Sequence, residues 1–174
     1  MDFFYLLTKK YILYMIDYRF YGKGIVMNDN ICKFSPTRST EEAINIINFV
    51  FETKSEFSKK FSITATYAIY LVTEGTGRLH TTQTDFGLKR GDLFFTIPSK
   101  PFYIENEENL QFIYITFFGW RATSLLERLN ITDSSPIPED FSFLIPFWQK
   151  SLKLSNSNNI DIVAESVILH TCSY

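Results

Sequence analysis

The sequence is poor in the residues that build metal sites and disulfide frameworks. Its 174 residues include two cysteines, Cys32 and Cys172, and two histidines, His80 and His170. Disulfide-stapled domains have more cysteines than this, and zinc sites need cysteines or histidines at short, paired spacings. We therefore expect two reduced thiols, no metal site and no cofactor. A hydrogen-bonded or surface position is expected for His80.

Charge of one sign is also lacking. The 17 basic and 19 acidic residues give a net charge of −2, and the basic doublets at 9–10, 59–60 and 89–90 are scattered. A protein that binds duplex DNA normally has a basic stripe, because phosphate contacts supply most of its affinity. We therefore expect no direct contact between this chain and DNA.

No uninterrupted apolar run is long enough to cross a membrane. The stretch 3–21 is rich in apolar residues, but Lys9, Lys10, Asp17 and Arg19 interrupt it. A spanning helix needs about 20 predominantly apolar residues, and a signal peptide needs a small-residue cleavage site after its apolar region. The sequence therefore predicts a cytoplasmic protein that does not enter the membrane.

Aromatic residues are what the sequence has in excess. They make up 17% of the chain, with 18 phenylalanines and 10 tyrosines, and hydrophobic residues make up 45%. A chain of this length typically buries about 70% of the surface that its unfolded form exposes. We therefore expect a folded unit with a substantial core, rich in aromatic rings.

Three zones differ in their residue patterns. Residues 1–43 predict an N-terminal arm that ends in polar turn residues. Residues 44–119 contain short runs of β-branched and aromatic residues with glycine turns between them, which are typical of a sandwich or a closed barrel. A short helix is an alternative to the first of these strands, and residues 105–109 predict an acidic loop.

The last zone, 120–174, predicts two or three helices. Leu125, Leu126 and Leu129 have helical spacing, and Pro146 suits the first turn of a second helix because its φ is fixed and it has no N–H. A broad apolar stripe predicts a last helix from Ile160 onward. The fold class is therefore mainly β, followed by C-terminal helices.

Three segments together resemble the N-terminal domain of AraC-family transcription regulators. They are YAIYLVTEGTG at 67–77, GDLFFTIP at 91–98 and YITFFG at 114–119, and the resemblance extends over 44–174. It implies a cupin-like jelly-roll barrel at 44–119 that binds a small-molecule effector, such as a sugar. It also implies a helical dimerisation segment at 120–174 and a helix-turn-helix domain outside this sequence, through which alone DNA would be bound.

A cupin-fold enzyme, such as a sugar isomerase, an epimerase or a dioxygenase, is the alternative function. Metal-dependent cupins need several histidines and a carboxylate around one ion. This chain has Phe102 where many relatives have a histidine, and the barrel zone contains only His80. The sequence therefore favours a sensor over an enzyme.

Strand alternation and the resemblance together suggest which residues line the barrel. Residues two apart share a face of a strand, and the resemblance places the Tyr114 face inside. The candidate ligand-binding residues are Tyr70, Glu74, Phe102, Phe112 and Tyr114. Plain core filling is the alternative for the four aromatic residues, and a solvated position is the alternative for the glutamate.

The last helix supplies the candidate dimer interface. The resemblance places part of its apolar stripe, represented by Ile160, Val163 and Val167, at a two-fold axis where the same patch meets itself. Packing of that stripe on the barrel of its own chain is the alternative. A third hypothesis has no ligand at all, with a solid barrel that serves dimerisation.

Overall fold

The computed structural model describes residues 30–35, 43–53 and 59–174. Its strands are β1 (Ile31–Phe34), β2 (Asn45–Glu52), β3 (Tyr67–Thr81), β4 (Asp85–Lys89), β5 (Leu93–Thr96) and β6 (Phe102–Phe118). Its α-helices are α1 (Trp120–Arg128), α2 (Ile145–Leu154) and α3 (Ile160–Thr171), with a 3₁₀ turn at Ser142–Leu144 before α2. The predicted order of strands followed by helices is confirmed.

The described strands form one antiparallel sheet. Its order is β1-β2-β6-β3-β4, and β5 pairs with the first half of β3. β2 is a strand as predicted, and not the alternative helix. The predicted acidic loop at 105–109 is wrong, because these residues lie within the 17-residue strand β6. Irregular pairing around Thr76 accommodates them within the β3–β6 ladder.

The sheet curls around one apolar cluster, which we call the inner cluster. The first half of β3 contributes Tyr70 and the second half contributes Leu79, and β6 likewise contributes from both ends. Only a sheet that bends back on itself can bring both halves of one long hairpin to the same cluster. The buried members are Ala68, Tyr70, Val72, Leu79, Leu88, Phe94, Phe102, Ile104, Leu110 and Phe112. The surface that bears them is the inner face of the sheet.

The opposite, outer face of the sheet packs against the three helices. Phe49 of β2 and Ile115 of β6 lie there in one cluster with Trp148 of α2 and Val167 of α3. All four side chains are fully buried. Each large apolar side chain buried in this way stabilises the fold by about 1.5–3 kcal/mol. The helices therefore leave the inner face free of their own packing.

Local sequence signals set the helix boundaries. Pro146 lies in the first turn of α2, as predicted. Asn130 follows the end of α1 with a φ of +54°, a conformation that asparagine tolerates better than most residues. The last helix begins at Ile160, as predicted.

The predicted boundary between arm and barrel at residue 44 needs a correction. β1 precedes it and pairs with β2 in a regular antiparallel register from Ile31, opposite Phe51, to Phe34, opposite Asn48. The sheet therefore begins inside the stretch that the sequence assigned to the arm. The rest of the predicted arm, at 1–29 and 36–42, lies outside the described residues.

Within the described parts of the chain, no helix combines the length and the apolar character that crossing a bilayer requires.

Candidate functional site

Three aromatic rings form a row across the inner face. Tyr70 of β3 is paired in register with Phe94 of β5 on one side and with Tyr114 of β6 on the other. The ring of Tyr70 is parallel to that of Phe94, with centroids 4.7 Å apart, and stacks on that of Tyr114 at 5.1 Å. Offset stacks of this kind are favourable beyond the area that they bury.

The row continues past Tyr114 with smaller side chains. Val50 of β2 is the register partner of Tyr114, and Cys32 of β1 is the partner of Val50. Phe94 and Tyr70 are buried, whereas Tyr114 is half-buried and Cys32 is exposed. Tyr114 is therefore the most accessible of the three rings.

Four of the five predicted ligand-binding residues come together on the inner face. The rings of Phe112 and Phe102 meet the ring of Tyr70 edge-on, with centroids 5.5 and 6.5 Å away. The prediction for Glu74 needs a correction, because this residue is exposed and lies outside the inner cluster. The β-bulge between Val72 and Glu74 interrupts the alternation on which its assignment depended.

Burial keeps both tyrosine hydroxyls of the row protonated. It is the main reason why the pKa of Tyr114 rises to about 12, and the neighbouring side chains of Cys32 and Glu52 add to the effect. The pKa of Tyr70 is also raised, mainly by burial and further by Tyr114. Both side chains are therefore neutral hydrogen-bonding groups at any physiological pH.

A second row on the inner face consists of small and polar side chains. Ala68 of β3 is paired with Thr96 of β5 on one side and with Thr116 of β6 on the other, and Thr116 is paired with Asn48 of β2. Thr96 is fully buried, and neither its hydroxyl oxygen nor the Asn48 side-chain oxygen has a hydrogen-bond partner among the described residues.

The hydroxyl of Thr96 faces that of Tyr70. It comes close enough to oppose part of the rise in the Tyr70 pKa. The two groups do not, however, form a hydrogen bond of normal geometry.

Charged groups on the inner face are few. The described strand positions that share this face with the aromatic row include no lysine or arginine. Glu52 of β2 pairs with Phe112 in register, and its carboxylate accepts a hydrogen bond of 2.8 Å from the Asn30 amide. The described part of the face is therefore aromatic and carries one carboxylate, that of Glu52, near Tyr114.

His80 lies on the other face of the sheet, away from the aromatic row. Its Nδ1 is 2.9 Å from a carboxylate oxygen of Asp85, and its Nε2 is 3.1 Å from one of Glu105. Its ring stacks on that of Tyr103 at 4.2 Å. The predicted hydrogen-bonded role of His80 is confirmed. Among the described residues, no three histidine, cysteine or acidic side chains are grouped so as to hold a metal ion.

Sequence reasoning missed Phe94, Thr96 and Asn48 as inner-face residues. The run LFFT of β5 is buried on both sides, so alternation did not show which pair of residues faces inward. Asn48 follows a bulge between Ile46 and itself, which shifts the alternation of β2. Only the strand pairing reveals these three residues.

The prediction for the dimer interface also needs a correction. Ile160 and Val167 are fully buried within their own chain, packed against the outer face of the sheet. They have no surface left to offer a second copy, whereas Val163 is half-buried. The exposed apolar residue of α3 is Ile162, with 67% of its surface accessible.

Comparison with known families identifies the chain. Residues 52–157 match the family model described as the AraC-like ligand binding domain, which is more than half of the sequence. The chain belongs to this family. The resemblance drawn from the three sequence segments is thereby confirmed. The predicted fold class, mainly β with C-terminal helices, is confirmed by the antiparallel sheet and the three helices that follow it.

Solved structures similar to this AraC-like domain include several cupins. A cupin superfamily protein from Desulfitobacterium hafniense has 14% identity and a TM-score of 0.39, over 54% of this chain and 82% of its own. A predicted oxalate decarboxylase from Thermotoga maritima has 23% identity and a TM-score of 0.35, over 41% of this chain and 64% of its own. The chain thus spans less than two thirds of that protein.

A salicylate 1,2-dioxygenase from Pseudaminobacter salicylatoxidans is also similar. It has 14% identity and a TM-score of 0.37, and the match covers 53% of this chain and 25% of the dioxygenase. No curated protein shows significant similarity to the chain.

Proposed function

We propose that this AraC-like domain senses a small-molecule effector on its inner face and acts as a binding module rather than an enzyme. The observation that carries the proposal is the convergence of Tyr70, Phe102, Phe112 and Tyr114 on one curled face, in a chain of this family. Ligand sites of proteins are mostly apolar, with a few polar groups that fix orientation. A sugar is a natural effector, because its apolar ring face can stack on an aromatic side chain.

We propose that effector binding regulates DNA binding by a helix-turn-helix domain elsewhere in the same protein, in the cytoplasm. An effector shifts such an output only through different affinities for two conformations. β5 is placed to transmit a conformational change on the inner face to the helices. The residues that follow α1 run along it, with Ile137 N–H donating to the Leu93 carbonyl at 2.8 Å and Phe141 N–H donating to the Gly91 carbonyl at 2.9 Å. These residues lead directly into α2.

Tyr114→Ala tests the effector site. The probe is whichever compound raises the melting temperature most in a thermal-shift screen of sugars and aromatic compounds. We expect the variant to lose at least about 30-fold in affinity for it, the scale of a well-packed aromatic anchor. The variant should remain folded, because Tyr114 is half-buried. Isothermal titration measures the affinity and circular dichroism the fold.

Tyr67→Ala is the matched control for this test. Tyr67 is also half-buried and stacks on Phe117, at 5.9 Å, but on the outer face. Its loss should leave the affinity unchanged. Equal losses of affinity in both variants would indicate that Tyr114 only fills the core. The same conclusion would follow if Tyr114→Ala unfolded and the wild type bound no compound.

We further propose that two copies of the domain pair through exposed apolar residues of α1 and α3. Arg121 and Glu165 connect these helices, with 3.7 Å between their charged groups. Trp120 on α1 and Ile162 on α3 are 68% and 67% exposed, and apolar surface of this kind is typical of contact sites. A two-fold pairing would place the same patch on both sides of the interface.

Sedimentation velocity checks the dimer. We expect a dimer at micromolar concentration for the wild type and a monomer for Ile162→Arg, because the new charge is not matched across a two-fold axis. Ile63→Arg, at an equally exposed isoleucine outside the helices, should leave the dimer intact. A wild type that remains monomeric would reject the pairing.

A further inference from the structure

We propose that a cleft on the helical side of the sheet is a second binding site, which takes an organic amine with an apolar body. We call it the outer cleft. Its floor is the outer face of β5, one wall is the segment 129–139, and the other wall is the C-terminal end of α3 with the residues after it. It lies across the sheet from the inner face, so the proposal does not depend on the proposed effector site.

The size and the lining of the outer cleft suit a small ligand. Its volume is about 380 Å³, and ligand pockets of proteins usually measure about 300–1,000 Å³. Leu93 and Phe95 of β5 form the floor, and both belong to the apolar cluster between the sheet and the helices. Much of the wall is also apolar, with Ile131, Ile137 and Phe141. The apolar body of a ligand therefore finds apolar partners here.

The wall at 129–139 is held in place by the rest of the domain. The Ile131 N–H donates to a carbonyl of α1 at 2.9 Å, and the Ile137 N–H donates to a carbonyl of β5 at 2.8 Å. Between them, Pro136 forms a β-bridge with Phe94, and its ring restricts the backbone at that point. Binding therefore does not have to order this wall, which lowers its entropic cost.

The charged residues that line the outer cleft are both acidic. They are Asp133 and Glu139, and the described lining includes no lysine or arginine. Lys100 forms an ion pair with Asp133, whereas no described basic side chain forms one with Glu139. Glu139 therefore attracts a cation and repels an anion. This preference selects an amine, which is protonated at neutral pH, over a carboxylic acid of the same shape.

The other polar groups of the lining favour reversible binding. Burial raises the pKa of the Cys172 thiol to about 11, so the thiol is neutral at physiological pH and is a poor nucleophile. The Thr171 hydroxyl already accepts a hydrogen bond of 3.0 Å from the Trp148 indole N–H. Recognition of the ammonium group therefore falls to Glu139.

Matched ligands test the charge preference. The panel contains phenethylamine, tryptamine and hexylamine, each with the alcohol and the carboxylic acid of the same skeleton. Isothermal titration at neutral pH measures each set. We expect an amine to bind and its acid to bind at least about fivefold more weakly, the scale of one exposed ion pair. An acid that binds as well as its amine would overturn the inference, and so would a panel in which no amine binds at millimolar concentration.

The two cysteines report where the amine binds. Cys172 lines the outer cleft, whereas Cys32 is aligned with the aromatic row of the inner face. Modification of each thiol by iodoacetamide is followed by mass spectrometry, with and without the amine. With the amine at about ten times its Kd, modification of Cys172 should slow about tenfold, because only the unoccupied cleft reacts. The rate at Cys32 should not change.

Glu139→Gln tests the acidic group of the cleft. Glu139 is exposed, so the variant should fold as the wild type does. It should weaken amine binding about three- to fivefold and leave binding of the alcohol unchanged. Glu108→Gln is the matched control, at an exposed glutamate of β6 outside the lining, and should change neither affinity. Equal losses in the two variants would overturn the role of Glu139.

The outcomes separate this site from the proposed effector site. Protection of Cys32 alone would place the amine on the inner face and overturn the inference, while supporting an effector site there. Protection of neither thiol would also overturn it. If sugars or aromatic compounds bind and no amine protects Cys172, only this inference fails. If an amine protects Cys172 and nothing binds the inner face, only the proposed function fails.

Discussion

Replacing Trp148 with alanine is expected to lower the free energy of unfolding by about 3–5 kcal/mol, the usual cost of removing a large buried aromatic side chain. Trp148 is fully buried where α2, α3 and the sheet meet. Its indole N–H donates a hydrogen bond of 3.0 Å to the Thr171 hydroxyl, and its ring meets that of Phe49 edge-on at 6.1 Å. The substitution leaves a cavity and an unpaired hydroxyl together. Urea unfolding followed by circular dichroism measures the loss.

Two further variants separate the contributions to this effect. Trp148→Phe retains most of the apolar surface and removes the indole N–H, so it should cost less than the alanine variant. Leu154→Ala removes an apolar side chain of the same helix that is 60% exposed and should change stability by less than about 1 kcal/mol. Equal effects for the two alanine variants would contradict the packing of the helices on the sheet.

Gly119→Ala is expected to lower the free energy of unfolding by at least about 2 kcal/mol. Gly119 joins β6 to α1 with a φ of +133° and a ψ of 166°, a region that is essentially restricted to glycine and costs other residues about 1–3 kcal/mol. A β-carbon there would also lie 2.4 Å from the backbone oxygen of Ala43. That oxygen accepts a hydrogen bond from the Arg121 N–H, so the clash disturbs the start of the helix as well.

Gly87→Ala provides the control for this prediction. A β-carbon at Gly87, in β4, would meet no atom within 4 Å. The alanine variant should therefore unfold within about 0.5 kcal/mol of the wild type. Thermal and urea unfolding of the two alanine variants side by side measure the difference. If Gly119→Ala were as stable as Gly87→Ala, the strand-to-helix connection would have to adopt a different backbone conformation.

Strong local signals predicted most of the elements correctly. The apolar run at 67–72 indicated the first half of β3, and Pro146 indicated the start of α2. The predicted glycine turn at 74–77 is wrong, because these residues continue β3 and pair with β6. The failures occurred where a local signal competed with strand pairing. Residues 105–109 are acidic and polar, yet they continue β6, because β3 supplies partners along nearly the whole length of the hairpin.

The candidate site was predicted in part, for a related reason. Alternation together with the family resemblance placed Tyr70, Phe112 and Tyr114 on a common face, and this holds because these residues lie in regular stretches of strand. It failed at Glu74, where a bulge interrupts the regular pairing. It gave no answer for Thr96, since β5 is buried on both faces.

The sequence by itself determined the class of this domain: its composition argued against a direct DNA binder, its strand and helix patterns defined the order of elements, and three segments indicated the AraC family. Composition and periodicity reflect the conformational preferences of residues close together in the chain, and these preferences are local. The tertiary structure alone decided which side chains meet. Ile160 and Val167 became core, and Thr96 joined the inner face, because strand register and sheet curvature depend on contacts between residues far apart in the chain.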